Sequence, residues 1–388
     1  MLQLIDVFLK QGWQITFASP AQRSQQAMNL SSLEIDEVAI ELNDSSFDIF
    51  IKELDPDLVM FDRFMIEEQF GWRVAEHCPN ALRILDTEDF HSLRKARHQA
   101  LNSHQKFKEE DLLTFELAKR EIASILRCDL SLMISDYEME LLERLFKIDR
   151  RILHHIPFLL DEIDNEHIRS WKEFEERDHF TIIGNCLHDP NVDAILQLKQ
   201  IIWPNIRKKL PQAELHIYVA YATQQINELH NEREGFLIKG ATNDPEEVVR
   251  NIRVVLAPLR FGAGIKGKLT EAMICGAPSM TTSIGAEGMH GHLPWNGFIE
   301  DNPETYAMEA VELYSNKSLW EASQKNGIQL INQLYNKKAL EIKLIQRIVD
   351  VHENLTAHRA QNFMGSLLQH HTLQSTKYLS KWIEAKNV

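Results

Sequence analysis

Short apolar segments alternate with amphipathic segments along most of the chain. In the first half, the apolar segments that predict β-strands are 14–19, 58–61, 82–86, 130–135 and 151–156. Between them, apolar residues recur every three or four positions, which predicts helices over 46–54, 66–77, 91–102, 109–127 and 137–146. Strands that alternate with helices in this way are typical of a parallel α/β architecture.

The same alternation starts again after a charged stretch, 161–178, which is predicted to be a linker. The pattern therefore predicts an α/β fold of two Rossmann-like domains that face a cleft, the first over 1–160 and the second over 179–364. The strands predicted for the second domain are 180–184, 214–219, 236–239, 254–258 and 278–282. The helices predicted for it are 191–209, 245–251, 266–275, 303–315 and 318–334.

The last part of the sequence, 338–388, is predicted to be helical. Its residues Tyr378, Leu379, Trp382 and Ile383 are spaced to form one apolar stripe. We expect a helix over 365–388 to join the first domain and to pack against it through this stripe.

The first element is unusual for this architecture. Leu2, Ile5, Phe8 and Leu9 recur at helical spacing, so a helix precedes the first strand. An α/β domain normally begins with a strand.

Composition restricts the partners and the compartment. The chain has 388 residues and a formal net charge of -15, which suits two domains and gives no broad basic field, so no nucleic-acid partner is predicted. No apolar run approaches the roughly 18 residues of a membrane span, and no signal pattern opens the chain. The four cysteines are far apart, without metal-site spacing, and indicate a reduced compartment. A cytoplasmic location is predicted.

A glycine-rich segment follows the last but one predicted strand, where ligands bind in parallel sheets. Gly262 and Gly264 allow backbone N–H groups to approach a ligand closely. Lys266 and Lys268 lie where the next helix begins, and a helix N-terminus favours anions. Glu271 lies one turn further on the same face, and a carboxylate can accept two hydrogen bonds from a ribose diol.

A second loop, TTSIGAEGM, follows the last predicted strand and contains Gly285 and a single acid, Glu287. Together, the two loops offer the groups of a nucleoside-diphosphate-sugar site. The alternative is a solvated glycine-rich turn in which Lys268 and Glu271 form only a helix salt bridge. Two such loops on adjacent strands favour the functional interpretation.

The sequence APLRFGAGIKGKLTEAMICGAPSMTTSIGAEGM, from Ala257 to Met289, resembles the donor-site signature of family-4-type glycosyltransferases (glycosyl transferases group 1) with the GT-B fold. The resemblance implies a retaining, hexosyltransferase-like enzyme that needs no metal and no cofactor. Its co-substrate is a nucleoside-diphosphate sugar, and its acceptor is a glycan, a lipid-linked molecule or a small molecule. The oligomeric state is not implied.

The resemblance also implies roles for residues in the second domain. Glu271 matches the acid that holds the nucleotide ribose, and Lys266 and Lys268 match basic positions at the diphosphate. The other donor-binding positions that we predict are Gly262, Gly264, Gly285 and Glu287 near the phosphates and donor sugar, Gly184 in the first loop, and Lys239 and Gly240 beside the base.

The first domain is the acceptor side by the same resemblance. Glu88, Asp89 and His91, in the loop after the third predicted strand, are the candidate catalytic residues, and we favour Asp89 and His91. The alternative is that Asp86 or Asp89 only caps the following helix. Arg63 and Glu67 are predicted on the acceptor side, although they are also placed to form a structural ion pair.

The resemblance further implies an initial strand and glycine-rich loop that this sequence lacks. We expect one of three explanations: a longer protein of which this is an incomplete version, a degenerate relative, or another segment in place of the strand. The predicted function is a retaining glycosyltransferase. The alternatives are a catalytically silent GT-B protein that binds nucleotide or a partner, and a sugar-nucleotide epimerase.

Overall fold

The computed structural model describes residues 1–22 and 28–387. The strands of the first half are β1 (Thr16–Ser19), β2 (Asp36–Ala39), β3 (Leu58–Asp62), β4 (Leu82–Asp86), β5 (Leu130–Met133) and β6 (Leu153–His155). Its helices are α1 (Leu2–Lys10), α2 (Ser46–Leu54), α3 (Phe64–His77), α4 (His91–Asn102), α5 (Glu116–Arg127) and α6 (Asp136–Leu145). Short 3-10 helices occupy Leu30–Leu33, Glu109–Thr114 and Arg150–Ile152.

The second half repeats the alternation. Its strands are β7 (Asp178–Asn185), β8 (Leu215–Ala220), β9 (Phe236–Gly240), β10 (Ile252–Ala257), β11 (Ser279–Thr281) and β12 (Gly297–Ile299). Its helices are α7 (Asn165–Ser170), α8 (Asp189–Gln197), α9 (Trp203–Lys209), α10 (Gln224–Asn227), α11 (Pro245–Asn251), α12 (Gly267–Ile274), α13 (Ser283–Ala286), α14 (Pro303–Ser315), α15 (Lys317–Leu334), α16 (Lys337–Glu353), α17 (Leu355–Gln361) and α18 (Phe363–Asn387). Further 3-10 helices lie at Phe174–Glu176 and Glu232–Glu234, and a π-helical turn, Leu198–Ile202, joins α8 to α9.

The sheet topology confirms two Rossmann-like domains. The second domain has one parallel sheet in the order β12-β11-β10-β7-β8-β9. The chain therefore moves outward from β7 in one direction and from β10 in the other, and the crevice between their carboxyl ends is a topological switch point. Ligands bind at such switch points in open α/β sheets.

The strands of the first half are divided between two sheets. β3, β4, β5 and β6 form one parallel sheet, and β1 pairs with β2 in another. Within residues 1–22 and 28–387, β1 has no strand partner except β2, and β3 has none except β4. The predicted initial helix is present as α1, and its Leu4, Val7 and Phe8 share a core with residues of β4 and β5. No described strand lies between β1 and β3 and pairs with both of them.

The chain returns to the first domain before its last helix. Leu344, Ile348 and Val351 of α16 are buried in the same core as α1, β4 and β5. The apolar face of α16 therefore covers the sheet of the first domain, although α16 lies within the range 179–364 predicted for the second. The predicted linker, 161–178, contains α7 and a 3-10 turn.

The last helix packs differently from the prediction. α18 lies against α3 and α5, and polar side chains hold it there. Glu384 pairs with the buried Arg73 of α3 at 2.6 Å, which turns the opposite face of the helix outward. Tyr378, Leu379 and Trp382 of the predicted apolar stripe are consequently exposed. Val388, the last residue of the predicted helix, lies outside the described residues.

No helix in the part of the chain that the structure describes is both long enough and apolar enough to cross a bilayer.

Candidate active site

A cleft of about 880 Å³ lies between the two domains. Its walls come from the start of α1 and the segments that follow β3, β4, β5 and β6 in the first half of the chain, and from the segments after β7 and β10 in the second domain. It therefore includes the switch point of the second sheet. The volume is in the range of small-molecule sites, roughly 300–1,000 Å³.

The glycine-rich loop after β10 lines this cleft and also contacts the first domain. Gly264 has a φ of +63°, and a Cβ there would lie 2.9 Å from Cβ of Asp89 in the opposite domain. Both the backbone conformation and the close approach explain the glycine. The side chain of Lys266 is buried, and its Nζ donates to the Gly264 carbonyl at 2.7 Å.

Lys268 lies in the first turn of α12 and points toward the loop after β7. Its Nζ donates to Oδ1 of Asn191 at 2.5 Å. Asn191 fits there because Gly184 has no side chain, since a Cβ would lie 2.8 Å from the Asn191 amide nitrogen. Burial lowers the pKa of Lys268 to about 8. In the described chain, Lys268 has no carboxylate within ion-pair distance.

Glu271 is the next polar side chain along the same cleft wall, and it is exposed. Among residues 1–22 and 28–387, no group donates a hydrogen bond to its carboxylate, and it forms no ion pair with Lys268. The alternative that these residues form only a helix salt bridge is therefore wrong. A half-buried lysine and an unpartnered carboxylate lie one helical turn apart.

Two carboxylates, the half-buried Glu287 and the buried Glu138, join the glycine-containing loops of the second domain to the first domain. Glu287, predicted near the donor sugar, accepts from both Nη atoms of Arg97 in α4, at 2.7 and 2.8 Å. Arg97 also donates to the Gly262 carbonyl at 2.9 Å. Glu138 of α6 accepts from the Gly264 amide at 2.5 Å. Burial and the nearby Asp89 raise the pKa of Glu138, and its amide hydrogen bonds lower it less.

Asp89 and His91, the favoured catalytic candidates, line the cleft within an ion-pair network. His91 Nδ1 lies 3.0 Å from Asp89 Oδ1 and 3.5 Å from Oε1 of the buried Glu121. Burial opposes protonation of His91, but hydrogen bonds to Asp89 and Glu121 raise its pKa to about 10. Arg94 binds Asp89 at 2.8 Å. His91 is therefore an imidazolium near neutral pH and is not free to accept a proton.

Asp86, at the end of β4, has different electrostatics. Burial raises its pKa to about 6, and the charges of Glu88 and Asp62 act in the same direction. Its carboxylate lines the cleft, and the Glu88 amide approaches Oδ1 at 3.4 Å. A cleft carboxyl that titrates near neutral pH is a candidate proton acceptor or donor.

Of the two residues predicted on the acceptor side, Arg63 and Glu67, only Arg63 lines the cleft. Arg63 lines the cleft, where it pairs with the adjacent Asp62 at 3.1 Å instead of with Glu67. Glu67 does not reach the cleft: it is buried in α3 and forms an ion pair with Arg127 of α5. The side chain at position 67 faces away because α3 buries that face against α5.

Five of the predicted donor-binding residues lie outside the cleft lining. Gly184 makes room for Asn191, and Gly285 packs against Thr281, whose Oγ1 a Cβ would meet at 1.9 Å. Lys239 and Gly240 end β9, which is at the edge of the second sheet. Glu287 is also absent from the lining, because Arg97 holds it between the domains.

Several cleft and interface residues were not predicted. His188 and Asn191 follow β7 and line the cleft. Their position after the end of a predicted strand was the feature of the sequence that could have indicated this. Asp86 had the same signal, but the sequence suggested only a cap. Arg97 and Glu138 had no such signal, because their partners in the second domain are 165 or more and 126 positions away, respectively.

One set of described residues has metal-ligating geometry. Ligand atoms of His179, Glu214 and His216 lie within 4.8 Å of one another at the amino ends of β7 and β8, across the sheet from the cleft. The Glu214 amide donates to His179 Nδ1 at 3.2 Å, and His216 Nε2 lies 2.8 Å from Glu214 Oε2. The three side chains therefore satisfy one another.

One family model matches part of the second domain. Residues 177–316 match the family model described as glycosyl transferases group 1. A search of curated protein sequences finds no match to the chain.

Solved structures with similar folds include glycosyltransferases. A glycosyltransferase from Rickettsia africae has a TM-score of 0.64 and 12% identity, with 91% of this chain and 94% of that protein covered. Anabaena HepE, solved in complex with UDP and glucose, has a TM-score of 0.63 and 14% identity, with 90% and 95% covered. S. aureus TarM, solved in complex with fondaparinux, alpha-GlcNAc-glycerol and UDP, has a TM-score of 0.59 and 16% identity. The chain spans 58% of the TarM chain, and 79% of this chain is covered.

Proposed function

We propose that this chain, whose residues 177–316 match the group 1 glycosyl transferases within a GT-B fold, transfers a sugar from a nucleoside-diphosphate sugar to an acceptor with retention of configuration. The observation that supports this best is the pair formed by Lys268 and Glu271. A half-buried lysine without an acidic partner suits a diphosphate, and an exposed carboxylate without a donor suits a ribose diol.

The proposed catalysis is mainly electrostatic. Negative charge develops on the departing diphosphate, and Lys268, Lys266 and the N-terminal amides of α12 are placed to stabilise it. Because these groups supply positive charge themselves, we propose that transfer does not require a metal. Burial in the cleft strengthens each of these interactions.

The first domain supplies the acceptor side in this proposal. His91, held as a cation by Asp89 and Glu121, is able to donate a hydrogen bond to an acceptor or donor-sugar oxygen. The acceptor proton passes to a donor phosphate oxygen or to Asp86, whose pKa of about 6 suits proton transfer near neutral pH. Arg63 is proposed to bind an acidic group of the acceptor.

The donor and the compartment are proposed on further grounds. UDP is the first nucleotide to test, because the TarM and HepE structures contain it. The acceptor is a glycan, a lipid-linked molecule or a small molecule, and no cofactor is involved. All four cysteines are free and buried, which agrees with the proposed cytoplasmic location.

The test combines binding and turnover. Thermal stabilisation by UDP, GDP and ADP is measured first, since a ligand that binds the native state raises its stability. The matching nucleotide sugars are then incubated with candidate acceptors, and nucleotide release and product configuration are measured. Lys268→Ala is expected to lose both binding and turnover, whereas Lys208→Ala, which changes an exposed lysine of the same domain, retains both.

The outcomes separate three functions. Release of nucleotide with formation of a glycoside supports the transferase. Stabilisation by nucleotide without any turnover supports a catalytically silent binding protein, and epimerisation without nucleotide release supports an epimerase. A wild-type rate in Lys268→Ala would contradict the proposed site.

A further inference from the structure

The outward face of α18 is the main exposed apolar surface on the last part of the chain. Its exposed side chains, with their fractional exposure, are Phe363 (72%), Met364 (54%), Leu367 (38%), Tyr378 (66%), Leu379 (57%) and Trp382 (56%). At 100° per residue these positions fall on one side of the helix, within about 160°. The sequence predicted that Tyr378, Leu379, Trp382 and Ile383 would pack, and the structure exposes the first three and half-buries Ile383.

The opposite face of α18 is anchored, which fixes the direction of the apolar face. Glu384 pairs with Arg73, and Lys377 pairs with Glu76 at 2.8 Å. Gln369 donates to the Arg127 carbonyl at 2.7 Å. A Cβ at Gly365 would lie 2.0 Å from the Leu126 carbonyl oxygen, so the helix backbone lies directly on the first domain there.

The charge of α18 is opposite to that of the protein. The whole chain has 57 acidic and 42 basic residues, excluding histidine. The helix has one acid, Glu384, and three lysines, Lys377, Lys381 and Lys386. Arg73 neutralises that acid, so a local positive charge remains beside the aromatic residues. The Lys386 ammonium lies 4.0 Å from the Trp382 ring centroid.

We propose that this face of α18 binds the surface of a membrane that contains anionic lipid. Tryptophan and tyrosine favour the headgroup region, because their rings are apolar and their N–H and O–H groups remain hydrated. Lysines beside them attract anionic headgroups. The helix has 25 residues, which gives a contact about 37 Å long for a helix that lies flat on the surface.

Charge favours a lipid surface over a second copy of the chain. A second copy that packed through the same face would add its own Lys381 and Lys386 to the contact, so both surfaces would carry positive charge. An anionic surface attracts these lysines. It repels the rest of the protein, whose net charge is -15, so this face is the one that points toward the surface. The proposal concerns where the protein acts and does not depend on the transfer reaction.

The test uses the full chain and vesicles of phosphatidylcholine, with or without phosphatidylglycerol. The wild type is expected to co-sediment with the anionic vesicles and only weakly with the neutral ones. Tyr378→Ser, Leu379→Ser and Trp382→Ser are each expected to lower the partition coefficient by roughly tenfold, and the triple variant to lose binding. Lys381→Gln and Lys386→Gln are each expected to lower it by about fivefold on anionic vesicles only.

Matched controls distinguish binding through this surface from non-specific adsorption through other exposed apolar residues. Met308→Ser and Ile342→Ser replace exposed apolar residues on other helices and should leave vesicle binding unchanged. The proposal is wrong if the wild type ignores anionic vesicles, or if the controls lose as much binding as the α18 variants. It is also wrong if light scattering shows a dimer that the triple variant abolishes while no protein sediments with vesicles.

Discussion

The ion pair between Arg97 and Glu287 offers the sharpest test of how the domains are joined. The Arg97 side chain is 7% exposed and makes two hydrogen bonds to the Glu287 carboxylate and one to the Gly262 carbonyl. Arg97→Met keeps an unbranched apolar chain of similar length but removes every donor. It leaves a carboxylate that is 16% exposed without its partner.

The magnitude follows from the burial of the remaining charge. Removing one member of a buried ion pair costs about 3–5 kcal/mol, because the other charge stays desolvated and unpaired. Replacing both members by apolar residues is often close to neutral. We therefore expect Arg97→Met to lower the free energy of unfolding by about 3–5 kcal/mol, and Arg97→Met with Glu287→Met to recover most of this loss.

The assay is urea denaturation of the wild type, both single variants and the double variant, followed with probes in each domain, since a two-domain chain need not unfold in two states. Arg120→Met is the matched control. Arg120 also binds a glutamate, Glu68, through two hydrogen bonds, but its side chain is 54% exposed. We expect this control to cost at most about 1 kcal/mol. Equal losses in Arg97→Met and Arg120→Met, or a double variant as unstable as the sum of the singles, would refute the reasoning.

Three further predictions concern the cleft and its surroundings. The affinity for UDP should be highest below about pH 8 and should fall above it, because the pKa of Lys268 is about 8 and only the protonated lysine attracts a diphosphate. Binding titrations of Lys268→Met over the same pH range should show a flatter profile. Glu271→Ala should lower kcat/KM by about 10–100-fold through lost hydrogen bonds to the ribose, whereas Glu312→Ala on the exposed face of α14 should not change it. Glu67→Gln should lower the melting temperature by weakening the buried pair with Arg127, while the KM of the folded enzyme for donor and acceptor stays unchanged.

The sequence predicted the bounds of several helices accurately. α2, α4, α11 and α14 occupy the ranges that the apolar spacing indicated. α11 and α14 both begin at a proline after a capping side chain: Asp244 accepts from an amide of α11, and Asn302 accepts from two amides of α14. Local signals of this kind act within one helical turn and are therefore visible in a single sequence.

Elements whose burial depends on distant partners were predicted less well. β2 was missed because Asp36, Glu37 and Ala39 are exposed, so the strand shows no apolar alternation. The stripe on α18 was predicted to be buried, yet the buried side of this helix is set by Arg73, more than 300 positions away from Glu384. Spacing indicates that a helix has an apolar face, but it does not indicate which face the protein covers.

The same distinction between local and distant interactions applies to the candidate site. The loop with Lys266, Lys268 and Glu271 could be predicted, because its residues follow one strand and begin one helix. The Gly264 conformation could not be explained from the sequence, since it depends on Glu138 and Asp89 in the other domain. The glycine was interpreted as room for a ligand. In the structure it also provides room for the first domain.

This double use of the loop links donor binding to the arrangement of the domains. Gly264 contacts Asp89, and two residues later Lys266 stands at the start of the helix that faces the cleft. A rotation of the second domain away from the first would break the Glu138 and Arg97 hydrogen bonds, and the loop would lose the contacts that define its backbone. The lysines at the proposed diphosphate site are therefore positioned in part by the acceptor-side domain. In such an arrangement, the full set of charges for the leaving group is assembled only while the cleft is closed and water is largely excluded.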